Sequence, residues 1–218
     1  MQKDYIITLA WPEGMIASAQ SWYDPFFSKK GKYRAGHSAI VLIKETEKKC
    51  RFFDFGRYHT PQNTGRVRDV DTDPDLNIIT PAIINNSQVT NIKEILREIF
   101  NNNSTHGEGT MYAAVIKKIN FQKTYDFIKK LQKKGAIHYG PFTYKGLNCS
   151  RFVAKAIRKS NPGIITRIRF KYPFCITPSP KRNITISNNT YFVVSNLNIK
   201  KIKKNIFTSY ITSIEKCH

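Results

Sequence analysis

The order of the hydrophobic patterns along the chain constrains its fold more than any other sequence feature. Alternating runs rich in β-forming residues come first, in DYIITLAW, HSAIVLIKE and KKCRFFDFGR, and amphipathic helical patterns follow in the middle of the chain. After Pro162 the sequence again reads as β-rich. Strands and helices in separate blocks predict an α+β fold, with an antiparallel sheet packed on helices, rather than a regular βαβ alternation.

The second and third runs form a predicted hairpin with a defined register. If the chain turns at Thr46 and Glu47, strand pairing places Ala39 opposite Asp54. His37 and Asp54 then lie on one face as diagonal neighbours, about 7 Å apart at the backbone. Their side chains are therefore expected to reach each other, whereas a slip of one residue would turn Asp54 to the other face.

The stretch GLNCSRFVAKAIRKS predicts a helix that begins with a cysteine. Phe152 and Val153 lie on its apolar face, and Cys149 lies on that face one turn earlier. Asn148 is placed to cap the helix, which makes Cys149 its first residue. The free backbone N–H groups and the helix dipole there favour an anion, and they lower a thiol pKa from its usual value of about 8.5.

A thiolate needs a base and a group that orients the base before it can transfer acyl groups. His37 starts a strand next to Gly36 and is the candidate base, with Asp54 as the orienting residue. Tyr58 and His59 follow the same strand and are alternatives to Asp54. The structural interpretation also stands: a helix cysteine is often core filling, and a histidine at a strand start is often an ordinary polar residue.

The cysteine segment resembles a known family. In NlpC-type papain-like hydrolases a tyrosine and glycines precede an acidic or amide residue, a cysteine, a serine, a small residue and an apolar pair. Arg151 stands where that family commonly has glycine. The matching residues in this chain are Tyr139, Gly140, Asn148, Cys149, Ser150, Phe152 and Val153.

The chain order of the histidine and the cysteine adds to this resemblance. His37 precedes Cys149, as in the circularly permuted branch that includes YiiX-like and lecithin:retinol acyltransferase-like proteins. The resemblance implies a permuted papain-like catalytic domain over residues 1–161, with Cys149 as nucleophile, His37 as general base and Asp54 as orienting residue. It implies a substrate cleft lined by Tyr58, His59, Tyr139, Asn148, Ser150 and Arg151.

The resemblance also implies an activity. A thiol hydrolase or acyltransferase of this type acts on an amide or ester bond of a peptide, isopeptide or lipid acyl substrate, through a thioester intermediate and without a metal or cofactor. Residues 162–218 are expected to form a basic, β-rich extension packed on the same domain. The alternative is a catalytically inactive papain-like module that docks an anionic partner.

The charge balance supports that alternative. Lys and Arg number 36 against 15 Asp and Glu, for a net charge of +21. A field of this sign attracts nucleic acid or acidic lipid, although the abundance of lysine, asparagine and isoleucine is also typical of AT-rich genomes.

The segment from Tyr58 to Asp75 reads as a long polar surface loop. Its arginines, Arg57, Arg66 and Arg68, could hold an anionic substrate group, or they could pair with the aspartates nearby.

The remaining sequence features bear on location. No run approaches the roughly 20 apolar residues of a spanning helix, and the first residues lack the pattern of a cleavable signal. The four cysteines are scattered singly, which is typical of free thiols in a reducing compartment. A cytoplasmic protein is expected, with export by a route that needs no cleavable signal as the alternative.

Overall fold

The computed structural model describes residues 4–17, 32–34, 36–141, 145–212 and 214. Within them, the helices are α1 (Ile92–Asn101), α2 (Phe121–Gln132), α3 (Cys149–Lys159), α4 (Ile164–Lys171), α5 (Pro180–Ser187) and α6 (Ile206–Ile211). The strands are β1 (Asp4–Trp11), β2 (Met15–Ala17), β3 (Lys32–Arg34), β4 (His37–Ile43), β5 (Cys50–Gly56), β6 (Thr64–Arg68), β7 (Ile84–Asn85), β8 (Gln88–Val89), β9 (Met111–Ile119), β10 (Ile137–His138), β11 (Thr190–Val194) and β12 (Ile199–Lys203).

One large sheet organises these elements. Its eight strands run in the order β10-β6-β5-β4-β1-β9-β11-β12, and each neighbouring pair is antiparallel. Helices pack against the sheet, so the expected α+β architecture with an antiparallel sheet packed on helices is confirmed.

The sheet is buried on both faces. Along β1, Tyr5, Ile7 and Leu9 contribute to a core shared with α1, whereas Ile6 contributes to a second core shared with α2 and α3. Successive side chains of a strand point to opposite faces, and here both faces are apolar. The strand therefore reads as a continuous hydrophobic run.

The hairpin register expected from the sequence is confirmed. β4 and β5 pair with Ala39 opposite Asp54 and Ile43 opposite Cys50. A slip of one residue would exchange the side chains that face the two cores and would turn Asp54 away from the face that carries His37.

Two sequence interpretations were wrong. Residues 58–75 are not a continuous loop, because β6 adds to β5 at the short segment TGRVR. The region after residue 162 is not predominantly β, because it contains α4, α5 and α6 beside the last two strands.

Local capping explains the helix that replaces a strand at NITI. The Ser179 side chain accepts a hydrogen bond from the Arg182 backbone N–H, and Pro180 occupies the first turn of α5. Both are helix-start signals that override the β-propensity of the residues after them.

The aromatic and glycine-punctuated sequence SAQSWYDPFFSKKGKYRAG predicts a short helix and a loop, and this segment falls largely outside the described residues. Among the helices that are described, none combines the length and the apolar character that crossing a membrane requires.

We predict that shortening a core side chain beneath α3 lowers the stability of the protein. Ile40 is fully buried in the core shared with α3, so Ile40→Ala should lower the free energy of unfolding by about 2–5 kcal/mol in urea titrations. Ile79 is 82% exposed, and Ile79→Ala should change it by less than about 0.5 kcal/mol. Equal losses in the two variants would contradict this assignment of the core.

Candidate active site

The first residue of α3 is the buried Cys149. Asn148 precedes it with extended backbone angles, and its side-chain oxygen accepts a hydrogen bond of 2.8 Å from the Arg151 backbone N–H. Phe152 and Val153 anchor the next turn in the core beneath the sheet. The predicted cap and helix start are confirmed, and the thiol sits where free backbone N–H groups favour an anion.

The first residue of β4 is His37, whose ring lies between an acid and the thiol. Its Nε2 is 3.0 Å from Asp54 Oδ2. The Cys149 thiol lies close enough to the same ring to help raise the His37 pKa. Trp11, opposite His37 on β1, stacks on the imidazole at 5.9 Å between ring centroids. The structure thus brings the three expected residues together.

Several donors surround the Asp54 carboxylate, which is fully buried. Arg68, opposite Asp54 on β6, forms a bidentate pair with it: Nε donates to Oδ1 at 3.0 Å and Nη2 donates to Oδ2 at 2.7 Å. The Tyr58 hydroxyl donates to Oδ2 at 3.0 Å. A carboxylate held by this many donors stays ionised in spite of its burial.

These contacts set the charges of the site. Burial raises the pKa of Asp54, but the hydrogen bonds from His37 and Arg68 outweigh it and hold the pKa below its usual range. Burial lowers the pKa of His37, but the hydrogen bonds to Asp54 and Cys149 outweigh it and raise the pKa to about 9. Tyr58 remains a neutral donor, because burial beside Asp54 raises its pKa well above the ordinary value.

The thiol responds to the protonated imidazole. Burial raises the pKa of Cys149, but the hydrogen bond and charge of His37, together with contacts from Ser150 and the Ser38 backbone, bring it below the ordinary value. Cys50 shows the opposite case, since burial without a cation raises its pKa to about 12. Cys149 is therefore suited to exist as a thiolate paired with an imidazolium.

The residues expected to line the cleft are divided by the structure. Tyr58 joins the site, with its hydroxyl 3.4 Å from His37 Nε2. Ser150 is buried behind the thiol, with its hydroxyl 3.1 Å from that of Ser38. His59 is exposed and makes no hydrogen bond to Asp54 or His37 within the described residues, so its place in the cleft stays a prediction.

Two further cleft candidates, Tyr139 and Arg151, make contacts that support the fold. The ring of Tyr139 stacks on Phe55 in the core, at 5.8 Å between centroids. Arg151 donates to the carbonyl oxygens of Gly140 and Pro141, at 3.1 and 3.2 Å, and so fastens the loop that precedes α3. This contact accounts for part of the Arg151 side chain, and its place in the cleft stays a prediction.

Sequence reasoning missed Arg68 as a partner of Asp54. The two residues are directly opposite on neighbouring strands, so predicting β6 would have revealed the pair. Arg66 pairs with Asp73 at 2.7 and 2.8 Å, which places it in an internal salt bridge.

His106 lies beside the site, in the segment STHGEGTMY, whose sequence fits either the rim of a cleft or a loop that enters a strand. Its ring stacks on Tyr58 at 5.3 Å between centroids, and its left-handed backbone follows a short turn rather than a recognisable motif. Across the described residues, no group of three or more His, Cys, Asp or Glu side chains is arranged to hold a metal ion.

We predict that Arg68 is essential to stability. Replacing it in Arg68→Met leaves a buried carboxylate without its bidentate cation, which should cost about 3–5 kcal/mol of unfolding free energy in urea titrations. Arg51→Met, which removes a half-exposed partner of Glu47, should cost no more than about 1 kcal/mol. A similar small loss in both variants would mean that Asp54 does not depend on Arg68.

We also predict that Cys149 reacts with iodoacetamide before Cys175, although Cys175 is the more exposed of the two. Burial raises the pKa of Cys175, whereas His37 lowers that of Cys149. Peptide mapping by mass spectrometry after brief labelling at neutral pH distinguishes the two thiols.

The pH dependence of labelling supplies the control. His37→Gln removes the cation, so the Cys149 pKa should rise and labelling at neutral pH should slow about tenfold or more, with a smaller effect in alkaline solution. Faster labelling of Cys175, or a His37→Gln variant with unchanged rates, would contradict the proposed ion pair.

Comparisons with known proteins give a family match and a structural match. The family model described as type VI secretion system effector TseH-like matches residues 6–163. The crystal structure of the type VI secretion system effector TseH is similar to this chain with a TM-score of 0.63 and 18% identity, over 92% of this chain and 98% of that one. At this identity the likeness concerns the fold. No curated protein matches the chain.

The assignment to the permuted YiiX-like and lecithin:retinol acyltransferase-like branch was wrong, because the family model that matches is a different one. That assignment depended on a few residues around His37 and Cys149, which are the residues that any thiol site on a helix and strand would share. The match over residues 6–163 runs from β1 through α3 and covers more than half of the chain, and it shows that the chain belongs to the TseH-like family of type VI secretion system effectors.

Proposed function

We propose that this protein is a secreted effector with thiol hydrolase or acyltransferase activity toward an amide or ester bond. The observation that carries the proposal is one imidazole that is hydrogen-bonded to Asp54 at 3.0 Å and that shifts, and is shifted by, the pKa of the Cys149 thiol. Nucleophile, base and orienting acid in mutual contact are the arrangement that covalent acyl transfer requires. Membership of an effector family is consistent with an activity directed at another cell.

In the first half of the reaction, the Cys149 thiolate attacks the carbonyl carbon of the substrate and forms a C–S bond. The carbonyl electron pair moves to the oxygen, and the backbone N–H of Cys149 at the α3 N-terminus stabilises the resulting oxyanion. His37, protonated at the start, gives its proton to the leaving amine or alcohol as the C–N or C–O bond breaks. A thioester on Cys149 remains.

In the second half, water or another acceptor attacks the thioester. His37 accepts the proton of the attacking group, the C–S bond breaks, and the acid or the transferred acyl product leaves. The Cys149 thiolate and the His37 imidazolium are restored, so the cycle balances without a metal or cofactor.

Asp54 keeps the His37 ring oriented through this cycle and stabilises its protonated form. Arg68 and Tyr58 act on Asp54 and are positioning residues in this proposal. We also propose that the fold is a permuted papain-like arrangement, with the nucleophile on a helix, the base on the sheet, and His37 before Cys149 in the chain.

The proposed substrates are a peptide, an isopeptide or a lipid acyl group. Delivery by a type VI apparatus would place the protein outside the cell that makes it without a cleavable signal. The expected cytoplasmic location then describes the protein before export.

We predict that p-nitrophenyl acetate acylates Cys149. Mixing should release a burst of p-nitrophenolate in proportion to protein, and intact mass measurement should show one acetyl group that peptide mapping locates on Cys149. Cys149→Ala should abolish the burst, and His37→Gln should slow it about tenfold or more, because the thiol loses the cation that keeps it ionised and p-nitrophenolate leaves without being protonated.

Cys175→Ala is the matched control and should keep the full burst, since that thiol lies outside the site. The proposal fails if acetylation does not depend on Cys149, or if no acyl adduct forms on a folded protein.

A further inference from the structure

A cavity of about 270 Å³ lies between α3, α4 and the segment that joins α4 to α5. It lies on the side of α3 away from the thiol: Arg151, Lys155 and Arg158 line it, whereas Phe152 and Val153 pack in the core beneath the sheet and Cys149 interacts with His37 on β4. Its lining residues are Pro141, Arg151, Ala154, Lys155, Arg158, Phe170, Lys171, Pro173, Cys175, Ile176, Thr177, Pro178, Asn183 and Ile186, called the cationic cavity below.

Positive charge dominates the cationic cavity. Arg151, Lys155 and Arg158 come from α3 and Lys171 comes from α4, and the described lining residues include no Asp or Glu. Burial lowers the pKa of Lys155, and the charges of Arg151 and Arg158 lower it further. Cations that repel one another in a partly enclosed space favour an anionic ligand, which would relieve that repulsion.

Exposed apolar side chains border the same cavity. Ile176, a lining residue, is 97% exposed, and Phe174 two residues earlier is 73% exposed. On α4, Ile164 and Ile168 are exposed and lie on one side of the helix with Lys171, at the spacing i, i+4 and i+7. The cationic cavity therefore opens within a surface of exposed isoleucine and phenylalanine, called the apolar rim below.

We propose that the cationic cavity and the apolar rim form a docking site for an anionic phospholipid bilayer, with a lipid phosphate in the cavity and the rim in the interface. Basic residues beside exposed apolar residues are the combination that binds acidic membrane surfaces, through electrostatic attraction and burial of apolar area. Aliphatic side chains such as Ile164, Ile168 and Ile176 match hydrocarbon better than a nucleic acid, which is bound through cations and stacked aromatic rings.

This docking site is separate from the proposed reaction. Trp11, Tyr58 and Arg68, which contact His37 or Asp54, do not line the cavity, and α3 stands between the cavity and the thiol. Loss of docking and loss of acylation are therefore measurable independently.

The experiment is co-sedimentation of the full chain with vesicles. Vesicles of phosphatidylglycerol and phosphatidylcholine in equal amounts should retain the protein at low salt, with retention that falls as salt is added, whereas vesicles of phosphatidylcholine alone should retain little. Equal retention by the two kinds of vesicle, or none by either, would overturn the proposal.

Variants locate the binding surface. Lys155→Ala and Arg158→Ala should each weaken binding to the anionic vesicles about fivefold, as expected for one cation at an acidic membrane. Ile176→Ser should weaken it by a similar factor through the loss of buried apolar area. Each variant should keep the p-nitrophenolate burst, which shows that it is folded.

Matched controls lie on the other face of the sheet. Lys93 is exposed on α1, and Ile79 is exposed beside α1, where its backbone N–H donates to Glu98. Lys93→Ala and Ile79→Ser should leave vesicle binding unchanged. Losses in these controls equal to those of the cavity and rim variants would reduce the binding to general charge and overturn the proposal.

Two further arms separate other anions. Glycerol phosphate should compete only weakly, because it lacks the acyl chains that the apolar rim would contact. Binding of a DNA duplex that requires Lys155 and Arg158 but is indifferent to Ile176, with no vesicle binding, would assign the cavity to nucleic acid and overturn the lipid proposal.

Discussion

The buried ion pair of Asp54 and Arg68 is the interaction on which the rest of the site depends. Burying two charges costs several kcal/mol each, and only close pairing with further hydrogen bonds offsets that cost. Here the pair spans two neighbouring strands, and Tyr58 and His37 supply the additional contacts. Each charge then stabilises the next one: an ionised Asp54 keeps His37 protonated, and a protonated His37 keeps Cys149 ionised.

Helix α3 connects this site to the opposite surface. Its first turn is attached to the sheet through the hydroxyls of Ser150 and Ser38, and to α5 through the Asn183 amide, which donates to the Ser150 carbonyl at 2.9 Å. The sheet-facing side of the helix carries the thiol, and its other side carries the cations of the cavity. A single amphipathic helix thereby separates a reactive surface from a binding surface. Residues three or four positions apart lie on the same side of a helix, and the residues between them lie on the other side.

Sequence patterns predicted the parts of this structure that depend on local periodicity. The hairpin register and the cap of α3 followed from alternation and from Asn148, and they carry His37, Asp54 and Cys149 to their places. Arg68 was out of reach, because its segment is short and polar and becomes a strand by pairing with β5. The helices after residue 162 were missed because β-branched residues dominate the segment, whereas Ser179 and Pro180 decide its conformation.

The net charge of +21 also acquires a location that composition could not supply. In the first half of the chain, cations are matched by acids, as in Arg66 with Asp73 and Arg51 with Glu47. After Glu108 the only acidic residues are Asp126 and Glu215, so the basic residues that follow have few partners in sequence. The excess charge therefore lies on the part of the chain from β9 onward, which includes α3 and α4 and so the cations of the cavity. A compositional bias spread evenly over the surface would not produce this asymmetry, and the coincidence of charge excess, cavity and apolar rim is what favours a bilayer as the partner.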